Sequence, residues 1–210
     1  MLAAQKPQFI TFEGGEGSGK STQIRLLHQE LVSREIQVGL TREPGGSEGA
    51  EEIRELLVNG DKGRWDAWSE TLLLWAARRD HVENVVKPAL ARGSWVLCDR
   101  FFDSTIAYQG YAGGLPIGDL RRLQEMILGN FAPTKTIFFD IDPKIGLERT
   151  VERGLGKEGR FESFDLTFHQ RLYDGFKELA LQEPDRIVTV DANQPVESVQ
   201  RDVLKAVGLN

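Results

Sequence analysis

The sequence predicts an α/β fold, a five-stranded parallel sheet flanked by helices in three layers. Three observations predict it. Short β-rich runs alternate with helical patterns along all 210 residues. The apolar spacing switches between every second residue and every third or fourth as the alternation proceeds. No repeat, low-complexity tract or linker interrupts it, so one domain spanning 1–210 is expected. Strand–helix alternation of this kind gives parallel strands joined by right-handed crossovers and covered on both faces.

The elements follow in order. Phe9-Ile10-Thr11-Phe12 is a short strand that ends at a glycine loop. Residues 20–34 place Ile24, Leu27 and Leu31 on one helical face. Ile36, Val38 and Leu40 alternate as a second strand, and Pro44-Gly45-Gly46 breaks the chain. A helix resumes from Glu48 to Val58 through Ile53 and Leu56, and Gly60-Asp61-Lys62-Gly63 reads as a loop. Residues 66–91 form a long helical stretch, which Pro88 should kink or restart because it lacks a backbone donor. Ser94 to Cys98 is a strand ending at Asp99, residues 116–128 a helix, and Thr136 to Ile141 a strand. Helices at 143–152 and 165–182 flank a loose charged segment, and a strand at Arg186 to Val190 precedes a last helix at 195–207. Ligands in such sheets bind beyond the carboxyl ends of the strands. The residues after Phe12, Leu40, Cys98 and Ile141 should therefore line one crevice.

Composition narrows the function. The 32 acidic and 26 basic residues give a net charge of −6, which disfavours nucleic acid or another large polyanion as a partner. A local basic pocket for a small phosphorylated ligand is compatible with it. The longest strongly apolar run, Leu72 to Ala77, is far short of the ~20 residues of a spanning helix, so no membrane association is expected. Gln5, Lys6 and Pro7 break the N-terminal stretch as a signal core, and Cys98 is the single cysteine. Both point to a reducing, cytoplasmic setting. His28, His81 and His169 lack metal-ligand spacing and are expected on the surface or in packing roles.

The strongest motif is Gly14-Gly15-Glu16-Gly17-Ser18-Gly19-Lys20-Ser21, a full match to G-x-x-x-x-G-K-[ST] between a strand and a helix. Glycines let the backbone curl so that its N–H groups face phosphate oxygens, and the helix adds its positive end. Lys20 can reach the β- and γ-phosphates of ATP, and the Ser21 hydroxyl can ligate Mg²⁺. Thr22 completes the expected donor set. The fold expected is thus the three-layer P-loop NTPase fold. The loop alone leaves switch GTPases, motor ATPases and small kinases open. The guanine-reading N-K-x-D, the switch D-x-x-G and the transporter L-S-G-G-Q are all absent, which favours a small phosphotransferase. The apolar run Trp95 to Cys98 ends in Asp99, where this fold places a second Mg²⁺-organising carboxylate, and Arg100 adds a planar fork for a phosphoryl group.

Here the chain resembles a known family. Leu97-Cys98-Asp99-Arg100-Phe101-Phe102-Asp103-Ser104-Thr105-Ile106-Ala107-Tyr108-Gln109 is similar to the signature segment of thymidylate kinases. Thr41-Arg42-Glu43-Pro44-Gly45-Gly46 resembles a second element of the bacterial form, and Phe12-Glu13-Gly14 a third. The resemblance covers nearly the whole chain. It implies transfer of the γ-phosphoryl of ATP to dTMP with Mg²⁺, and a homodimer built through helices such as Leu72 to Trp75 or 116–128.

The resemblance also implies roles. Arg54, Arg78 and Arg100 match positions that hold the acceptor phosphate, with Arg79 a rival to its neighbour. Thr105 and Gln109 match base-reading positions. Tyr108 matches a ring that crowds the sugar 2′ position. Glu16 and Glu43 match acidic positions near the acceptor. Leu74 stands where the family usually has a phenylalanine stacked on thymine, with Trp75 as the alternative. Trp65, Trp68 and Trp95 are expected to be packing residues. The charged stretch from Glu148 to Arg160, a short mobile lid at about 149–162, supplies Arg149, Arg153 and Arg160; Arg153 matches best as the charge on the transferred group. Lys20, Arg100, Arg153 and Asp99 form the expected catalytic set. Another nucleoside monophosphate kinase, a deoxynucleoside kinase and a non-catalytic nucleotide-binding module are the rival readings.

Overall fold

The computed structural model describes residues 6–58, 63–152 and 165–209. Among these, five parallel strands form one sheet: β1 (Phe9–Glu13), β2 (Val38–Arg42), β3 (Trp95–Asp99), β4 (Lys135–Asp140) and β5 (Ile187–Asp191), in the order β2-β3-β1-β4-β5. The helices are α1 (Lys20–Ser33), α2 (Glu48–Val58), α3 (Ala67–His81), α4 (Lys87–Ala91), α5 (Phe102–Thr105), α6 (Ile117–Leu128), α7 (Pro143–Glu152), α8 (Leu166–Gln182) and α9 (Val196–Ala206).

Side-chain alternation along the strands divides the core in two. On one face Ile10, Phe12, Leu97, Ile137 and Phe139 pack with Ile24, Leu27 and Leu31 of α1 and with Val199 and Val203 of α9. On the other, Phe9, Val96, Cys98 and Phe138 pack with Trp75 of α3, Phe102 of α5, Leu120 of α6 and Phe176 of α8. The predicted α1 stripe is therefore the one that is buried. Of the tryptophans expected in packing roles, Trp95 is buried, whereas Trp68 is 38% exposed and Trp65 half-buried.

Two elements differ from the sequence reading. β2 runs from Val38 to Arg42, two residues later than the alternation suggested, because it must pair with β3 from Val38↔Trp95 to Arg42↔Asp99. That register carries polar Thr41 and Arg42 to the carboxyl edge. The second is Phe102 to Ala112, which continues α5 through a π-helical segment, Ile106–Ala112. The 66–91 stretch is also interrupted, by a π-helical turn, Val82–Val86, in which the Lys87 N–H bonds to the Val82 carbonyl. The widened turn sits just before Pro88, in the first turn of α4, where a missing N–H costs least. Of the expected lid, residues 149–152 end α7, and residues 153–162 lie outside the described residues.

Candidate active site

The site grows from the carboxyl edges of β1 and β3. Phe12 pairs with Asp99, so the loops after both strands emerge side by side. The phosphate loop leaves β1 and enters α1 at Lys20. A Cβ on Gly17, at φ +66°, would lie 1.9 Å from the Gly146 carbonyl oxygen of α7, so this position admits no side chain. Lys20 Nζ donates to the carbonyls of Gly14 (2.9 Å) and Gly15 (2.8 Å). Burial and the nearby Arg100 push the Lys20 ammonium down to about 8, against the pull of Glu16, Asp99 and Glu13. Ser21 Oγ lies 3.5 Å from Asp99 Oδ2 at the open side of the loop.

Arg100 joins the two halves of the site. It is one of two non-glycine residues with positive φ (69°) among the described residues, a corner that turns the chain sharply after β3. Nη1 donates to the Gly14 carbonyl (3.1 Å) and to Ser104 Oγ (3.2 Å), and Nη2 to Glu16 Oε1 (3.0 Å). Its guanidinium stacks 5.0 Å from the Tyr108 ring centroid. Burial opposes its charge, but Tyr108, Glu16, Asp99 and Glu13 together hold its pKa above the ordinary arginine value. In turn, Arg100 and Lys20 overcome burial and keep the Glu16 carboxyl below its usual value. The Tyr108 hydroxyl also donates to Glu16 Oε1 at 3.2 Å.

Glu13 secures that corner. Its buried carboxylate accepts from the Phe101 N–H (2.8 Å), the Ser104 N–H (3.3 Å) and Ser104 Oγ (2.6 Å). A side chain from β1 thus caps the start of α5, which has no side-chain cap of its own. Burial and Asp103 raise the Glu13 carboxyl to about 7.

Beside the loop opens a cavity of about 380 Å³, a usual size for a small-molecule site. Glu16, Glu43, Arg54, Leu74, Arg78, Arg100, Thr105, Tyr108 and Gln109 all line it, so the structure brings together every residue expected at the acceptor. Leu74 is the wall residue. Trp75 is fully buried, 4.5 Å below the Arg78 guanidinium. Arg79 turns away to the Ile127 carbonyl and Glu83. Arg54 is anchored by a 2.7 Å bond to the Pro44 carbonyl. Arg78 is engaged by Glu43 (2.6 Å) and by the Phe101 carbonyl (3.2 Å), while its Nη1 is buried without a partner. Gln109 donates to Glu70 at 3.0 Å, which leaves Gln109 Oε1 buried and unpaired beside the cavity.

Sequence reasoning missed several contributors. Glu70 also lines the cavity, and the spacing Glu70, Leu74, Arg78 marks one helical face; that signal was available. Ser104 lies within the quoted signature segment. His81 is neither a surface residue nor simple packing: it is fully buried and hydrogen-bonded to Glu43 and Thr41. Of the lid arginines, Arg149 donates to the Ala192 carbonyl and Asn193 Oδ1, and Arg153 and Arg160 lie outside the described residues.

Comparisons with known proteins identify the family. The thymidylate kinase family model matches residues 12–203. A thymidylate kinase from Caulobacter vibrioides is 53% identical over 191 residues, 91% of each chain. One from Magnetococcus marinus is 50% identical over 200 residues, 95% of each chain. The crystal structure of thymidylate kinase from Ehrlichia chaffeensis superposes with a TM-score of 0.78 at 33% identity, covering 98% of this chain and all of that one. With a family model spanning residues 12–203 and relatives about half identical over more than nine-tenths of its length, the chain belongs to the thymidylate kinase family.

Proposed function

We propose that the phosphate loop takes Mg-ATP, that the 380 Å³ cavity takes dTMP, and that Arg100 spans the gap between them. The chain phosphorylates dTMP to dTDP with ATP as donor. The observation that carries the site assignment is Arg100, hydrogen-bonded to the donor loop at Gly14 while it lines the acceptor cavity. Two phosphorylated anions repel as they approach, and fixed guanidinium groups offset that repulsion and align in-line attack. The acceptor is already a phosphate oxygen, so no side chain acts as a strong base.

Each group then has a role. Backbone N–H groups of the phosphate loop and Lys20 hold the β- and γ-phosphates. Arg54 and Arg100 hold the dTMP phosphate. Arg78, its charge balanced by Glu43, keeps one terminal nitrogen without a protein partner, a donor for an acceptor oxygen of the nucleotide. Gln109 Oε1 and Thr105 face the base edge, Leu74 its plane, and Tyr108 with Glu16 the sugar. Arg153 brings lid charge to the transferred group. Ser21 and Asp99 fit a magnesium ion: both offer oxygen, and their 3.5 Å spacing is close to the roughly 3 Å between neighbouring ligands of an octahedral ion. Among the described residues no group of three or more His, Cys, Asp or Glu side chains is placed to hold a metal ion by itself. That ion would neutralise charge on the β- and γ-phosphates.

The protein acts as a cytoplasmic homodimer that binds neither nucleic acid nor membrane. No helix among the described residues is long and apolar enough to cross a membrane. Dimerisation uses the exposed apolar face where Leu72 of α3 (54% exposed) and Met126 of α6 (79% exposed) flank one groove, which sedimentation of a Met126→Lys variant tests. For activity, a coupled ADP-release assay with Mg-ATP against each nucleoside and deoxynucleoside monophosphate should give the highest kcat/KM with dTMP. Preference for another nucleotide, or for thymidine, would overturn the assignment.

A further inference from the structure

Glu43 sits in the acceptor wall, but both of its oxygens are taken by protein. Oε2 accepts the Arg78 Nε proton at 2.6 Å and Oε1 the His81 Nδ1 proton at 2.9 Å, with the side chain only 3% exposed. Arg78 and His81 leave α3 one turn apart, so one carboxylate from the segment after β2 clamps both. The far nitrogen of His81, Nε2, lies 2.7 Å from Thr41 Oγ1 on β2. A carboxylate only accepts, so Nδ1 carries the proton shared with Glu43, while the Thr41 hydroxyl, donor and acceptor at once, can pair with Nε2 in either sense. The fit is tight. A Cβ on Gly46 would stand 2.4 Å from Thr41 Oγ1 and 2.7 Å from the imidazole ring.

This chain of bonds ends at the cavity. The Arg78 guanidinium is fixed by Glu43, by the Phe101 carbonyl at 3.2 Å, and by the Trp75 ring at 4.5 Å. Without His81, Glu43 would hold one strong donor and lose the other, and a buried carboxylate so released would re-seat against its remaining partner. We propose that His81, acting through Glu43, is a positioning residue for the acceptor nucleotide: it sets the guanidinium of Arg78, a residue of the cavity wall. Glu43 is then a positioning residue as well, and its contribution to dTMP binding runs through Arg78.

The proposal rests on the cavity being the dTMP site. It is tested with three variants in steady-state kinetics. In His81→Asn the amide nitrogen takes the place of Nδ1 and still donates to Glu43; in His81→Gln it takes the place of Nε2; His81→Leu donates to neither. Loss of a hydrogen bond to a charged group corresponds to about 10-fold or more in affinity. The half-saturating dTMP concentration should therefore rise about 10-fold in the Gln and Leu variants and stay within about 3-fold of wild type in the Asn variant, with that for ATP within about 2-fold throughout. These constants do not depend on how much of a preparation is folded, so the Gln and Asn pair suffices if the Leu variant is unstable. An unchanged dTMP constant in His81→Gln, an Asn variant as impaired as Gln, or parallel rises for both substrates would overturn the proposal. Wild-type turnover of dTMP, measured first, separates the two claims: its absence removes the site assignment and this inference together, whereas a normal wild type with unshifted variants removes the inference alone.

Discussion

Replacing Glu13 with glutamine should change the way stability depends on pH. The carboxylate is buried under the Arg100 corner and accepts three hydrogen bonds from Phe101 and Ser104. Burial, with Asp103 adding, raises its pKa from 4.5 to about 7. The folded state therefore holds this proton over a range where the unfolded chain has released it. The contribution to stability is full below pH 4.5 and is lost as pH climbs through about 7. At 1.36 kcal/mol per pH unit, the interval from 4.5 to about 7 corresponds to roughly 3 kcal/mol. Glu13→Gln keeps the size and one acceptor oxygen but cannot ionise. It exchanges one hydrogen bond to Ser104, a pH-independent offset of about 1 kcal/mol. Urea unfolding of both proteins at intervals from pH 5 to pH 8 gives the comparison. The variant should gain on the wild type by up to roughly 3 kcal/mol as pH rises. Parallel curves across that range would refute the claim that the Glu13 carboxyl carries an ordinary-pH proton in the folded state.

Other outcomes follow from the same geometry. Lys20→Ala should lower turnover by roughly 10²–10³, as for other losses of a charge-stabilising donor, and near-normal dTMP kinase activity would remove Lys20 from the phosphate site. Since the Lys20 ammonium titrates at about 8, kcat/KM for ATP should fall as pH rises past that value, and a flat profile to pH 9 would contradict it. Arg54→Ala should raise the half-saturating dTMP concentration with little change for ATP; equal effects on both would place Arg54 elsewhere. Arg186 holds buried Asp103 through paired bonds of 2.7 and 2.8 Å, so Arg186→Met should cost about 3–5 kcal/mol in denaturant unfolding. A loss under 1 kcal/mol would show that the pair is dispensable.

Much of this protein was legible in its sequence, and the exceptions have a common cause. The phosphate loop could be read because its glycines, lysine and serine are contiguous and lie between a strand and a helix. The α1 stripe of Ile24, Leu27 and Leu31 could be read because one helix face meets the sheet and the other meets water. Phe102 to Ala112 could not, because nearly every side chain in it is buried, including Asp103, Thr105 and Gln109. A helix enclosed on all sides shows no amphipathic period. The second strand was displaced in the sequence reading because Thr41 and Arg42 are polar, and only pairing with β3 makes them strand residues. His81 was undervalued for a related reason. Its partners are Thr41 and Glu43, some forty residues away, and no local spacing connects them. The nine residues expected at the acceptor, by contrast, follow from positions matched to the family, and the cavity gathers them from α2, α3, α5, the π-helical segment after it and the loops after β1, β2 and β3.

Gly17 and Gly146 touch without any side chain between them. A Cβ on Gly146 would lie 2.4 Å from the Glu16 carbonyl oxygen, just as one on Gly17 would strike Gly146. The phosphate loop and α7 therefore meet main chain to main chain, with no compliant layer to absorb a change in either. A change of position in the loop at Gly17 therefore has to be matched by the first half of α7. A methyl group at either position would act as a wedge, and its damage should appear in both triphosphate affinity and turnover.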